Sequence, residues 1–257
     1  MTLLATGHLR RFEQQAGLID WRDTGLERCV LDADRARILH VAAMLEEDTA
    51  ITTAHARTLG LMRCPDFAAF LPQWEHEENG HALALRFLLR NQHYRVPEPT
   101  TETISIRRRL IARLPAQPLA LFPETAFLFC VLGAAAEYVA TVMYSELAKG
   151  SDPPVAALLR AIARQEARHF AFFEAEAKQR GAAMSALHGR VATRVLRAVW
   201  EPIGVPTLGI AAWSAVFSEW LADPRIQQRL VMMDRVVDSI PHLDGVGLMA
   251  TFLDRAL

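Results

Sequence analysis

The 257-residue sequence predicts an all-α protein, a four-helix bundle with additional C-terminal helices. Apolar side chains recur at helical spacing over almost the whole chain, and no convincing run alternates with the period of a strand. Hydrophobic residues make up 51% and charged residues 22%, which is enough for a sizeable core and excludes a disordered chain. We expect one domain over residues 1–257, with the bundle at about 34–181 and a helical extension at about 182–257.

Four long helices are predicted, and each is bounded by helix-breaking residues. They run over residues of about 34–59, 66–92, 122–149 and 154–180. An extended stretch at 96–103 and a short basic helix at 106–113 are expected in the long connection between the second and third helices. Beyond Gly181, prolines divide three or four further helices. These prolines are Pro202, Pro206, Pro224 and Pro241.

Charge and cysteine content narrow the functional class. The formal net charge of −1 argues against a globally basic nucleic-acid binder. The three cysteines form no Cys-x-x-Cys pair, and their odd number argues against a disulfide framework, so we expect a reducing compartment. The apolar patch at the N-terminus is too short for a signal peptide. A cytoplasmic protein is the resulting expectation.

The segment at residues 126–144 is apolar apart from Glu137. Its length would permit a membrane span, since a bilayer needs roughly 20 apolar residues. A carboxylate at the bilayer centre costs about 2.5–3.5 kcal/mol, however, and it needs a partner in either solvent. We therefore expect a buried helix of the bundle and no membrane span.

Two Glu-x-x-His motifs, each preceded by a glutamate one helix earlier, are the main functional signal. Glu47 and Glu78 each lie 13 residues from the nearer end of the turn that joins their helices. Glu137 and Glu166 are almost equally distant from the turn between theirs. At a rise of about 1.5 Å per residue, each acid lies about 18–20 Å from its turn. Antiparallel folding of both hairpins therefore brings these acids to one level.

Residues three apart on a helix share a face, so the glutamate and histidine of each motif point inward together. The four helices thus supply four carboxylates and two imidazoles, which is the ligand set of ferritin-like di-iron or di-manganese carboxylate bundles. The expected metal ligands are Glu47, Glu78, His81, Glu137, Glu166 and His169. Oxygen and imidazole ligands suit iron or manganese. We expect two iron ions, as Fe2+ or Fe3+, with a mixed manganese–iron pair as the alternative, and dioxygen as co-substrate.

The first-helix ligand has to be chosen from two adjacent glutamates. Apolar residues surround Glu47, whereas two threonines lie on the face of Glu46. The distance to the turn also favours Glu47. We therefore predict Glu47, with Glu46 as the alternative.

Three stretches resemble the soluble acyl-acyl-carrier-protein desaturases, over about residues 36–182. Residues 74–81, Trp-Glu-His-Glu-Glu-Asn-Gly-His, resemble that family's Trp-x-x-Glu-Glu-Asn-Arg-His. Residues 165–169, Gln-Glu-Ala-Arg-His, are similar to its Asp-Glu-x-Arg-His, and Glu-Asp at 47–48 is similar to its first-helix acidic pair. The resemblance implies dioxygen activation at a di-iron centre fed by ferredoxin, with insertion of a double bond into an acyl chain on acyl carrier protein.

The chain departs from the desaturase pattern at three positions. Gly80 replaces an arginine, and Gln165 replaces an aspartate that helps to orient a metal-bound histidine. Ala140 occupies the place of a threonine, while Thr141 follows at a spacing similar to that of multicomponent di-iron hydroxylases. The Thr141 hydroxyl is therefore a candidate catalytic hydrogen-bond donor. The alternative is a hydrogen bond from Thr141 to the carbonyl of Glu137.

We interpret the chain as a di-iron, dioxygen-dependent oxidoreductase that desaturates an acyl chain. Hydroxylation or N-oxygenation of a specialised metabolite is one alternative, and a ferritin-like iron-binding protein is another. Because no flavin or iron–sulfur cluster motif is present, electrons must come from an external donor such as ferredoxin. The expected partners are this donor, an acyl carrier protein and a second copy of the chain in a homodimer.

Overall fold

The computed structural model describes residues 17–90, 123–202 and 204–256. No β-strand occurs among these residues, which confirms the predicted all-α class. The helices, in chain order, are α1 (Ala33–Glu47), α2 (Thr49–Thr58), α3 (Pro65–Arg90), α4 (Pro123–Leu147), α5 (Pro153–Ala183), α6 (Ala186–Val199), α7 (Val205–Leu208), α8 (Ile210–Leu221), α9 (Pro224–Asp238) and α10 (Leu248–Ala256). The predicted stretches at 96–103 and 106–113 lie outside the described residues.

Two helical hairpins form the ferritin-like bundle. In the first, α1 and α2 fold back on α3 through a 3₁₀ turn at Leu61–Arg63. In the second, α4 and α5 pack against each other along their length, and the short turn between them contains Gly150 at a φ of 71°. A positive φ of this size is adopted readily only by glycine, so Gly150 fixes the reversal of the chain. Short connections of this kind make the paired helices antiparallel.

The first helix of the bundle is interrupted at Asp48, so the prediction of one continuous helix over 34–59 is wrong at this residue. The backbone N–H of Asp48 lies 3.2 Å from the carbonyl oxygen of Met44 and 3.1 Å from that of Leu45. This sharing tightens the turn locally. Glu46 and Thr49 are buried on either side of the interruption, and Glu47 faces outward.

The C-terminal extension packs over α1 and α4. Helices α6 and α9 contact α4, and α8 contacts α1. Tyr138 of α4 donates its hydroxyl to the carbonyl oxygen of Arg229 in α9, at 3.2 Å. Trp213 and Phe217 of α8 are buried in the shared core. The extension therefore covers the face of α4 that is turned away from the centre of the bundle.

Helix α4 is the one helix of the described residues that is long and apolar enough to cross a membrane. The mean hydropathy of its most apolar stretch, between Glu124 and Leu147, is 1.8, and 56% of that stretch is buried inside the protein. A central helix of a bundle has the same length and composition, because it buries side chains on most of its surface.

We expect Asp234→Ala to destabilise the extension. The buried carboxylate of Asp234 accepts hydrogen bonds from the backbone N–H groups of Met249 and Ala250, at 2.8 and 2.9 Å, in the first turn of α10. Loss of such a cap costs about 1–2 kcal/mol in the free energy of unfolding. Denaturant titration measures this loss, and Asp254→Ala, at an exposed position of α10, is the control. Equal stabilities of the wild type and Asp234→Ala would contradict the capping role.

Candidate metal centre

Six ionisable side chains from four helices meet in the middle of the bundle. Each is at most 6% exposed. They are Glu46 of α1, Glu78 and His81 of α3, Glu137 of α4, and Glu166 and His169 of α5. The structure therefore brings together five of the six residues predicted as ligands, and their role as ligands remains a prediction.

The six side chains form two overlapping groups of four. Glu46 and His81 complete one group and Glu137 and His169 the other, and both groups share Glu78 and Glu166. Within each group the candidate ligand atoms all lie within 4.8 Å of one another. The Nδ1 atom of His81 is 3.0 Å from Glu166 Oε1. The two groups thus outline two adjacent positions that share the carboxylates of Glu78 and Glu166.

Several buried atoms of this cluster make no well-aligned hydrogen bond, although His81 Nδ1 and Glu166 Oε1 lie only 3.0 Å apart. They are Glu78 Oε1, Glu166 Oε1 and His81 Nδ1. A buried polar atom without a partner costs free energy, so native proteins rarely retain one without a reason. All three atoms face the cluster and are of the kinds that bind iron or manganese. The donor set and its unpartnered atoms therefore fit two metal ions.

The electrostatics of the cluster point to the same need for cations. Burial, followed by the charge of Glu166, raises the pKa of Glu78 and of Glu137 well above the usual range. Burial by itself lowers the pKa of His81, but the Glu166 and Glu46 carboxylates raise it well above its usual value. Without metal, protons thus compensate for the clustered negative charge.

The prediction that Glu47 faces the bundle interior is wrong, and Glu46 takes that place. The Glu47 side chain is 47% exposed and forms a two-pronged ion pair with Arg86 of α3, both N–O distances being 2.8 Å. The hydrogen bonds from Arg86 lower the pKa of Glu47. Adjacent helical residues point about 100° apart, so only one of the two glutamates can face inward. The partner that holds Glu47 outside belongs to another helix.

Each cluster histidine is held from behind by a residue of the opposite helix. His169 Nε2 lies 2.8 Å from Glu77 Oε2, and His81 Nε2 lies 2.6 Å from Gln165 Oε1. Glu77 immediately precedes Glu78, as Gln165 precedes Glu166. These contacts direct the Nδ1 atoms of both histidines to the cluster, as is usual for metal-binding histidines. An orienting role is predicted from the sequence for position 165 but not for Glu77, although both residues occupy the same place in their motifs.

Two further side chains hold the carboxylates that are not shared. The buried Tyr144 donates its hydroxyl to Glu46 Oε1. Trp74 donates its indole N–H to Glu137 Oε1 at 3.1 Å. The hydroxyl of Thr141 donates instead to the backbone carbonyl of Glu137, at 2.8 Å. For Thr141 the structure thus has the hydrogen bond that was the alternative to the predicted catalytic role.

Aromatic side chains enclose one end of the cluster. Phe70 and Phe172 stack with ring centroids 3.7 Å apart, and the rings of Phe70 and His169 are nearly perpendicular, with centroids 6.2 Å apart. Phe173 packs against Trp74 and lies so close to Gly133 that a β-carbon at this position would be 2.8 Å from the ring. Gly133 therefore permits the close contact of α4 and α5 beside the site.

A family model, Rubrerythrin, matches residues 131–196. The matched segment contains Glu137 and the Glu166–His169 motif. No curated protein and no solved structure shows significant similarity to the chain. The family match and the buried cluster together support a di-iron-binding, ferritin-like domain. They give no support for the acyl-carrier-protein desaturases specifically.

We expect Glu46→Gln to weaken metal binding and Glu47→Gln to leave it unchanged. The first substitution removes a buried carboxylate of the cluster, while the second alters a surface ion pair. Loss of a ligand should reduce affinity at one position by at least the factor of about 10–100 seen when a supporting residue is lost. Anaerobic equilibrium dialysis with ferrous iron measures both variants. The opposite ranking of the two variants would restore Glu47 as the ligand.

Iron affinity should rise with pH. The raised pKa values of Glu78, Glu137 and His81 mean that the metal-free cluster holds protons that a metal must displace. These groups stabilise the metal-free fold below their unfolded pKa values, and that contribution is lost as pH rises through their folded values. Calorimetric titration in buffers of different ionisation enthalpy counts the released protons. Binding without proton release would contradict a protonated cluster.

Proposed function

We propose that the protein is a di-iron, dioxygen-dependent oxidoreductase that acts on an unactivated C–H bond, with desaturation of an acyl chain as its reaction. The observation that carries the proposal is the burial of four carboxylates and two histidines at one level of an apolar bundle. Such a donor set supports a redox-active metal pair, and its enclosure supports chemistry that must exclude water.

The residues that would hold the metals follow from the two overlapping groups. Glu78 and Glu166 would contact both ions, Glu46 and His81 would complete one position, and Glu137 and His169 the other. When bound, the ions would supply the one-electron redox chemistry that dioxygen requires. The chain itself orients the imidazoles through Glu77 and Gln165 and fixes the Glu137 carboxylate through Trp74.

Desaturation balances only with an external source of electrons. The substrate loses two hydrogen atoms as a double bond forms, and dioxygen is reduced to two molecules of water. Two electrons and two protons must therefore be supplied in addition to those from the substrate. We propose an external donor such as ferredoxin for the electrons and acyl carrier protein for the presentation of the substrate.

The surroundings of the centre favour an apolar substrate. Phe70, Trp74 and Phe173 cover one side of the cluster. A small apolar cavity lies between the bundle and the extension, where Leu45 and Met143 adjoin Glu46 and Tyr144 in sequence. Most of its remaining lining comes from the extension, including Trp213, Phe217 and Trp220. At about 20 Å³ this cavity has room for about one water molecule, so the support for an apolar substrate is the aromatic lining of the centre and not a preformed acyl tunnel.

Hydroxylation or N-oxygenation would use the same centre and is the second candidate. Its sequence support is the spacing of Thr141, whose hydroxyl is bound to a backbone carbonyl in the structure.

Ferritin-like iron storage is less compatible with the covered outer face of α4, because stored iron needs a polar path into a shell. Size-exclusion chromatography distinguishes iron storage from the proposed enzyme: a hollow multimer supports storage, and a dimer supports the enzyme.

Iron-loaded protein, reduced ferredoxin and a panel of acyl-carrier substrates should consume dioxygen in a substrate-dependent manner. Mass spectrometry should find a product that lacks two hydrogen atoms, whereas one added oxygen atom would establish the oxygenase alternative. His169→Ala should abolish turnover. Glu75→Gln should retain it, because Glu75 lies on the same helix as His81 but forms an ion pair with Arg57 at the surface. Tight iron binding without any substrate-dependent uptake of dioxygen would contradict the proposed reaction.

A further inference from the structure

The two cluster histidines rest on chemically different supports. Behind His169 lies a carboxylate, Glu77, and behind His81 lies a neutral amide, Gln165. Both supporting residues are buried, and they touch each other, with Gln165 Nε2 lying 3.1 Å from Glu77 Oε1. The two hairpins therefore supply matching side chains to the cluster, but the groups immediately behind the two histidines differ in charge.

The orientation of the Gln165 amide is fixed by its neighbours. Its Nε2 atom donates to the carbonyl oxygen of Gly17 at 2.5 Å as well as to Glu77. The amide oxygen must then face His81 Nε2, where it accepts the imidazole proton. Nδ1 of His81 is left to bind a metal, supported by a hydrogen-bond acceptor that carries no charge.

Glu77 is held as a carboxylate by three donors to one of its oxygen atoms. Its Oε1 atom accepts from the Gly17 backbone N–H at 2.7 Å, from Arg168 at 2.9 Å and from Gln165. Its Oε2 atom is thereby free to accept the Nε2 proton of His169 alone. A negatively charged acceptor raises the basicity of the imidazole, so His169 is the stronger metal ligand of the two.

The unshared carboxylates differ in the same direction. Glu46 accepts a hydrogen bond from the phenol of Tyr144, and Glu137 accepts one from the indole of Trp74. A phenolic hydroxyl is the more acidic donor, and O–H donors give the shorter, stronger bonds to carboxylates. The bond from Tyr144 therefore withdraws more charge from Glu46 than the bond from Trp74 withdraws from Glu137. The metal position formed by Glu46 and His81 therefore has the weaker carboxylate ligand as well as the weaker histidine ligand.

We propose that the two metal positions are inequivalent, and that iron first fills the position of Glu137 and His169 and then, with lower affinity, that of Glu46 and His81. The inference rests on the metal-binding part of the proposed function and on no assumption about substrate. Glu77 acts here as a positioning residue, since it reaches the metal only through His169. Its charge, rather than its packing, sets the order of filling.

Anaerobic titration of the metal-free protein with ferrous iron, followed by calorimetry, tests the order of filling. The wild type should bind one equivalent tightly and a second at least about tenfold more weakly. Glu77→Gln makes both supports neutral, and the tight step should weaken about 10–100-fold, so that the two steps merge. Glu75→Gln, which changes a surface glutamate two residues away, should bind as the wild type does.

Two ligand variants keep the test decisive where Glu77→Gln does not fold. His81→Ala should retain the tight equivalent and lose the weak one, whereas His169→Ala should lose the tight one. Two equivalents of equal affinity in the wild type, an unchanged tight step in Glu77→Gln, or loss of the tight step in His81→Ala would overturn the inference. Stepwise binding without substrate oxidation would support the inference and contradict the proposed reaction. Absence of iron binding would contradict both.

Discussion

The structure depends on the burial of four carboxylates in the apolar centre of a helical bundle. Charged groups leave water at a cost of several kcal/mol each, and four acids within one site also repel one another. The two histidines offset part of this charge only while each holds a second proton, which leaves when Nδ1 binds a metal. Three of the ligand atoms make no well-aligned hydrogen bond. Two cations would compensate for the carboxylate charge and bind these atoms, so metal binding would stabilise the fold.

The spacing of the acids from the turns of the two helical hairpins places them at one level of the bundle. Each hairpin delivers one glutamate from its first helix and a Glu-x-x-His pair from its second, and the two hairpins meet at the same level. The supporting residues then cross between hairpins: Glu77 of one holds His169 of the other, and Gln165 holds His81. Because Gly17 bonds to both supports, the segment before α1 also belongs to the site.

The bundle and most of the cluster could be predicted because they depend on local spacing. Helical periodicity, the turns and the Glu-x-x-His motifs are properties of the chain itself. The choice between Glu46 and Glu47 failed because it depends on Arg86, which lies on another helix, and on the local tightening at Asp48. The bond from Tyr144 to Glu46 likewise joins residues distant in sequence. Glu77 and Gln165 stand at matching places in the two motifs, but the sequence did not show that each contacts the histidine of the other motif.

Two metal ions are expected at the point where the four helices meet. Anomalous diffraction at the iron edge from crystals of the iron-loaded protein tests this expectation most directly. We expect two iron peaks about 3.5–4 Å apart, flanked by the Nδ1 atoms of His81 and His169. Iron bound only at surface carboxylates such as Glu47, or no iron between the two histidines, would contradict it.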